Sequence, residues 1–230
     1  MRVIKAIFKK QAKGMLKNPM VLVMFIIFPV VAFVMTNLID VSDFPNNNLF
    51  VTMMAAIFAG MGLITAAAEA IAEDTERKSL RFLVIAGVKP YQYLIGVGGF
   101  LLFAGTVTSV VFALIGDFTL TETMKFLAIM VSGVAASVLL GATIGMYSGN
   151  RQTATALGMP AAMLVGFTPM IASFNETVER VADILYTQQI NVIVNDFSVS
   201  IWRPLLVVAS NIAVLTVLFI LAYRKKGLKG

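Results

Sequence analysis

The sequence contains no cysteine and no histidine. Without cysteine, disulfides and thiolate metal sites are excluded; without histidine, the chain lacks the commonest general base, proton shuttle and metal ligand. Charged residues are also scarce, at 13% of the 230 residues, whereas 59% are hydrophobic and the mean hydropathy is +0.89. This composition predicts an integral membrane protein with no catalytic residue and no metal site of its own.

Long apolar runs fill most of the chain. A helix needs about 20 apolar residues to cross a bilayer, and the sequence offers six such stretches. They are residues 20–39, 49–68, 92–115, 124–148, 154–174 and 203–223. The predicted fold class is an all-α integral membrane protein, with six transmembrane helices forming one domain over residues 20–226. None of these stretches carries Asp, Glu, Lys or Arg at hydrocarbon depth, where ion-coupled transporters ordinarily keep ionisable groups.

Basic residues are distributed unevenly over the segments that connect these stretches. Cytoplasmic segments near span ends retain Lys and Arg. If the N-terminus is inside, fifteen of the eighteen basic residues lie on the inner side, and only Lys125, Arg180 and Arg203 lie outside. The sequence therefore predicts that both termini are cytoplasmic.

Residues 1–19 form a basic segment ahead of the first stretch. Lys5, Lys9, Lys13 and Lys17 recur every four residues, beside apolar residues at helical spacing. This pattern predicts an amphipathic helix in the inner membrane interface, with its lysines facing anionic lipid headgroups. A solvated basic tail is the alternative interpretation.

Small residues recur at every fourth position of the fourth stretch, at Gly133, Ser137, Gly141, Gly145 and Gly149. In lipid such a stripe lets two helix backbones approach closely. We interpret it as packing within the bundle; a dimer contact is the alternative.

The fifth stretch carries a bulky stripe instead, formed by Met163, Phe167, Met170 and Phe174. Methionine is flexible and adapts its shape to its neighbours. Two interpretations stay open for this stripe. It either packs against lipid and the core, or it lines a path for a substrate.

Residues 69–86 are the most polar part of the chain. A helix there places Glu73 beside Arg77 and Asp74 beside Lys78, each acid four residues before its base, which stabilises an isolated helix. Gly87 is suited to end it. We predict a short charged helix just beneath the membrane, and its length favours a docking role because connections in bundles are usually shorter. A solvated connecting loop is the alternative interpretation.

The order of these features follows a known pattern of membrane proteins. A basic amphipathic helix precedes six spans, and a polar run between spans two and three contains Glu73, Glu76, Arg77, Ser79, Leu80, Leu83, Gly87 and Val88. The run is similar to E-x-x-E-[KR]-x-[ST]-L-x-x-L-x-x-x-[GP]-V. Taken together, the chain resembles the type-2 ATP-binding-cassette (ABC) exporter permeases. In that family an outer segment after span five folds back into the membrane, which implies the same near residues 184–186.

The resemblance implies a membrane subunit of an ATP-driven exporter, in a prokaryotic cell membrane. ATP and magnesium would be bound by a separate ATPase subunit, since the chain has no P-loop and no cofactor site of its own. The residues implied in coupling to that ATPase are Glu73, Glu76, Arg77, Ser79, Leu80, Arg81 and Leu83. The acids and Arg77 would make polar contacts, and Leu80 and Leu83 would fill an apolar groove.

The resemblance also implies two permease copies, identical or related, that move a hydrophobic or amphipathic cargo such as a peptide, drug or lipid. Lipid is the other predicted partner, and no nucleic acid is expected. Two other classes stay open. The chain is either a secondary transporter or channel, which would need polar lining at mid-depth, or a membrane immunity or anchor protein, which needs no coupling helix.

The charge distribution predicts a pattern of thiol labelling, and the absence of native cysteine leaves no background. Single cysteines at Ser42, Thr119 and Thr177 should react with a membrane-impermeant thiol reagent added to intact cells. Cysteines at Ser79 and Thr153 should react only after the cells are opened. Labelling of S79C in intact cells would reverse the predicted orientation.

Overall fold

Apolar and small residues at helical spacing produce an all-helical chain. A computed structural model describes residues 2–16, 19–39 and 48–229 and contains no strand among them. Lys17 and Ser42, both named above, lie outside these ranges. The helices are α1 (Arg2–Leu16), α2 (Pro19–Leu38), α3 (Leu49–Ile57), α4 (Leu63–Glu76), α5 (Ser79–Ile85), α6 (Pro90–Ile115), α7 (Leu120–Tyr147), α8 (Arg151–Ala172), α9 (Glu176–Ala182), α10 (Tyr186–Asn195) and α11 (Trp202–Lys229).

Five helical segments of the described chain are long and apolar enough to cross a membrane. They are Leu49–Glu76, Pro90–Ile115, Leu120–Tyr147, Arg151–Ala172 and Trp202–Lys225, and a shorter apolar helix covers Leu22–Leu38. The all-α fold class is confirmed, and the helices are those of a membrane-embedded, multi-pass chain. The count of six spans stays a prediction, because the apolar part described for α2, Leu22–Leu38, is shorter than each of these five segments.

The second predicted span is longer than expected. α3, a π turn over Phe58–Gly62 and α4 form one continuous helix from Leu49 to Glu76. The predicted helix over residues 69–86 is therefore wrong as a single element, because α4 ends at Glu76 and Lys78 adopts a left-handed backbone, with φ of 57°. This break removes the predicted i,i+4 relation of Asp74 with Lys78. The Glu73–Arg77 pair is confirmed, with 2.9 Å between Oε1 and a guanidinium nitrogen.

The stripe of small residues on α7 packs inside the bundle. A Cβ at Gly141 would collide with the carbonyl oxygen of Ile64, and one at Gly145 would lie 2.5 Å from that of Ala68, so α4 and α7 touch backbone to backbone. The Ser137 hydroxyl donates to the Ala59 carbonyl in the π turn. Packing within the bundle is thus confirmed for these three positions; Gly149 has nothing within 4 Å.

The segment after α8 folds back against the bundle. α10 packs against α3, α7, α8 and α11, and nearly all of its side chains are buried, including Thr187, Gln188 and Gln189. Tyr186 lies 2.7 Å from the Ser137 hydroxyl, and Thr187 donates to the Val165 carbonyl at 2.7 Å. Such bonds stabilise a polar helix in this interior. The exception is the buried side-chain oxygen of Gln188, which has no hydrogen-bond partner.

The basic N-terminal segment forms an amphipathic helix that lies against α6. Ile7 is buried beside Gly96, and the rings of Phe8 and Phe100 are 6.1 Å apart. Lys5, Lys9 and Lys13 are exposed. The helix is confirmed over the described residues, whereas its place in a lipid interface remains a prediction.

The backbone contact between α4 and α7 predicts unequal effects of two glycine substitutions in the same stripe. G141A places a methyl group against the Ile64 carbonyl, and overpacking of this kind costs about 1–3 kcal/mol. G149A meets open space. We expect G141A to lower the temperature at which the purified chain loses its monodisperse peak on heating in detergent, and G149A to leave it unchanged. Equal behaviour of the two variants would contradict the packing.

Candidate functional site

The carboxylate of Asp74 lies where four helices meet, and the residue is only 1% exposed. They are α1, the C-terminal end of α4 and the N-terminal ends of α5 and α6. Lys10 forms an ion pair with Oδ1, and the Ser79 hydroxyl lies 3.0 Å from the same oxygen. Gln11 donates to Oδ2 at 3.2 Å, and the Tyr93 hydroxyl donates to it at 3.0 Å. We call these five residues the Asp74 cluster. A buried carboxylate is stable only with such partners, so the cluster ties four helices together.

Two further acids of α4 connect it to α8. Glu73 accepts from Arg151 at 3.0 Å as well as from Arg77. Glu76 accepts the backbone N–H of Arg151 at 3.1 Å, at the first residue of α8. Both carboxylates therefore make contacts within the chain, and their predicted contacts with a partner stay a prediction. A carboxylate beside the positive end of a helix is stabilised there.

Leu80 does not have the position that the sequence predicted. It is 4% exposed and belongs to the core, and Leu83 is half-buried and packed against that core. The prediction that these leucines fill a groove on a partner is wrong for Leu80, because α5 turns that side toward the bundle after the break at Lys78. Ser79, also a predicted contact, is directed at Asp74 instead.

The opposite side of α5 is exposed, and sequence reasoning identified it only in part: it named Arg77 and Arg81 and missed Phe82 and Ile85. Phe82 is 70% and Ile85 is 72% exposed. Arg81, next to Phe82 in the sequence, and Arg77, just before α5, are exposed as well. We call these four residues the docking face. Its position is determined by several contacts of α5 and the following turn, including the hydrogen bond of the Tyr223 hydroxyl to the Val88 carbonyl at 2.9 Å.

A cavity of about 390 Å³ lies between α3, α8 and α10, toward the other end of the bundle. Its walls are mostly apolar and include Met53 and Ile57, with Asn191 among the few polar groups. Of the predicted stripe, Met170 and Phe174 line this cavity. Met163 is 47% exposed and Phe167 is half-buried, and neither lines the cavity. The structure thus places Met170 and Phe174 at the cavity and Met163 and Phe167 outside it.

No family model matches the chain, and no curated protein matches it. Function therefore has to be argued from the docking face, the Asp74 cluster and the cavity.

The Asp74 cluster predicts a large effect of one carboxylate and a small effect of its neighbour. D74A leaves Tyr93 and Gln11 as buried donors without their acceptor, which costs about 3 kcal/mol or more. E76A removes an exposed carboxylate on the same helix and should cost less than about 1 kcal/mol. We expect trypsin to cut D74A faster than the wild type at Lys9 and Lys13, because α1 loses its polar contact, and to cut E76A at the wild-type rate. Unchanged protection of α1 in D74A would contradict its attachment through the cluster.

Proposed function

We propose that the chain is the membrane subunit of an ATP-driven exporter of the type-2 ABC permease kind, coupled to a separate ATPase through α5. The observation that carries this proposal is the docking face. It presents two large apolar side chains and Arg81 on a short helix whose other side is anchored in the core, and Arg77 just before that helix. Exposed apolar groups with a charged rim are typical of protein interaction sites.

Rigid anchoring supports a role in transmission of movement. A solvated loop would not need contacts to a buried carboxylate, whereas α5 is joined through Asp74 to α1 and α6 and through the adjacent acids to α8. A displacement of α5 by a partner would move these helices with it. In the proposal, these contacts transmit the movement of the ATPase to the membrane helices.

The continuous helix Leu49–Glu76 supplies a path from α5 to the cavity. Twenty-eight residues at about 1.5 Å rise span about 42 Å. Its inner end carries Glu73 and Asp74, and its other end contributes Met53 and Ile57 to the cavity wall. The π turn lies between the two, where Gly60 approaches the Gly166 backbone of α8 so closely that a Cβ would lie 2.5 Å from its Cα. Such turns are frequent at functional sites.

The cavity favours a hydrophobic or amphipathic cargo such as a peptide, drug or lipid. No Asp, Glu, Lys or Arg is among the residues that line it, and apolar pockets with few polar groups bind ligands of matching character. Met170 and Phe174 are the residues of the bulky stripe that we assign to the substrate path.

The proposal includes the expected surroundings of the chain. Two permease copies, identical or related, work with two ATPase subunits, which bind ATP and magnesium. The termini and α5 face the cytoplasm of a prokaryotic cell, where most of the basic residues lie.

The docking face can be tested with one double variant and one control variant. R81E combined with F82D should abolish co-purification of the P-loop ATPase subunit with the tagged chain from its native membranes, together with cargo-dependent ATP hydrolysis. Loss of one buried aromatic contact typically costs 2 kcal/mol or more at an interface, about thirtyfold in affinity. R224E reverses an exposed arginine outside the docking face and should retain both properties.

Both variants should have the thermal stability of the wild type, because the altered side chains are exposed. A chain that purifies without any P-loop ATPase, or a double variant that retains the ATPase and full activity, would contradict the proposed function.

A further inference from the structure

An apolar groove of about 610 Å³ runs along α11, between this helix and α7, α8 and α10. Its walls include Leu140 from α7, Val165 from α8 and Val207 and Leu215 from α11. The groove is separate from the cavity that we assign to cargo, and it shares no lining residue with that cavity.

The length of the groove is close to the hydrocarbon thickness of one membrane leaflet. Arg203 and Leu215 both line it and are twelve positions apart on α11, which is about 18 Å along the helix axis. The hydrocarbon of one leaflet is about half of 30 Å thick. The groove therefore extends from one end of the bundle to roughly the middle of a bilayer.

Charged groups of both signs stand at the end of the groove. A guanidinium nitrogen of Arg203 lies 2.9 Å from Oδ2 of Asp183, and the two side chains are 80% and 42% exposed. Trp202, the single tryptophan of the chain, is 73% exposed next to Arg203. Tryptophan is enriched at the depth of lipid headgroups, so this end of the groove is at a membrane surface.

The donor groups of the polar side chains inside the groove are satisfied by the chain itself. The Asn211 amide donates to the carbonyls of Ile184 and Val207 at 2.8 Å, and the Ser210 hydroxyl donates to that of Leu206 at 2.9 Å. These side chains therefore do not need a hydrogen-bond acceptor from a ligand. A polar solute such as a sugar would lose its own hydration there without compensation, whereas a hydrocarbon chain would not.

We propose that this groove is a binding site for a glycerophospholipid, with one acyl chain beside Val207, Val214 and Leu215 and the phosphate at Arg203. A guanidinium presents five donors and binds phosphate oxygens in pairs, and Arg203 retains exposed donors beside its contact with Asp183. The Asp183 carboxylate is placed for a headgroup ammonium. This site depends on membrane insertion and does not rest on the proposed export function.

Photocrosslinking in nanodiscs tests the acyl site. The probe is a phosphatidylethanolamine with a diazirine near the end of one acyl chain, and crosslinked peptides are identified by mass spectrometry. We expect crosslinks concentrated on Leu140, Val214 and Leu215. V207F fills the groove and should reduce them severalfold, whereas V217F, at an exposed α11 position outside the groove, should leave them unchanged.

A second pair of variants tests the headgroup contact. R203Q should reduce crosslinking with the phospholipid probe severalfold, and should have no such effect with a diacylglycerol that carries the same diazirine chain but no phosphate. R180Q changes an exposed arginine of α9 that does not line the groove, and should match the wild type with both probes. Crosslinks spread evenly over the exposed face of α11, or unaffected by V207F and R203Q, would overturn the proposal.

Discussion

A carboxylate buried at the end of a helical bundle requires donors on every side, and Asp74 obtains them from three other helices. Removing an unpaired carboxylate from water costs several kcal/mol, and the contacts with Lys10, Ser79 and Tyr93 offset this only when α1, α5 and α6 are all in place. The positions of these helices are therefore interdependent. The break at Lys78 belongs to the same arrangement, since it turns the chain so that Ser79, three residues after the end of α4, reaches the carboxylate.

The close approach of α4 and α7 complements this polar junction deeper in the bundle. Gly141 and Gly145 bring the backbones of the two helices into contact, and no hydrophobic gradient would do so in lipid. The long helix that contains α4 is thus held along α7, while its C-terminal end is joined to α5 through the Asp74 cluster. In the proposed coupling, these two contacts are what would carry a movement from one end of this helix to the cavity at the other.

Parts of the candidate site left a signal in the sequence that was overlooked. Gln11 is four residues from both Ile7 and Met15, and so interrupts the buried face of α1. Asp74 continues the spacing of the buried Ala66 and Ala70 on α4 in the same way. A polar residue in each of two apolar stripes indicates a buried hydrogen bond between them. The Glu73–Arg77 pair and the packing of Gly141 and Gly145 were predicted correctly because both depend on spacing within one helix.

The sequence by itself determined the helical fold class and the character of each long helix, because composition and helical periodicity are local properties of the chain. Tertiary structure alone decided which side of α5 is exposed. Leu80 is therefore buried, and Phe82 and Ile85 form the apolar part of the docking face. It also placed the polar helix α10 in the interior and divided the stripe of Met163, Phe167, Met170 and Phe174 between two environments. These features depend on a single left-handed residue and on contacts between helices far apart in the chain, and local spacing contains no information about either.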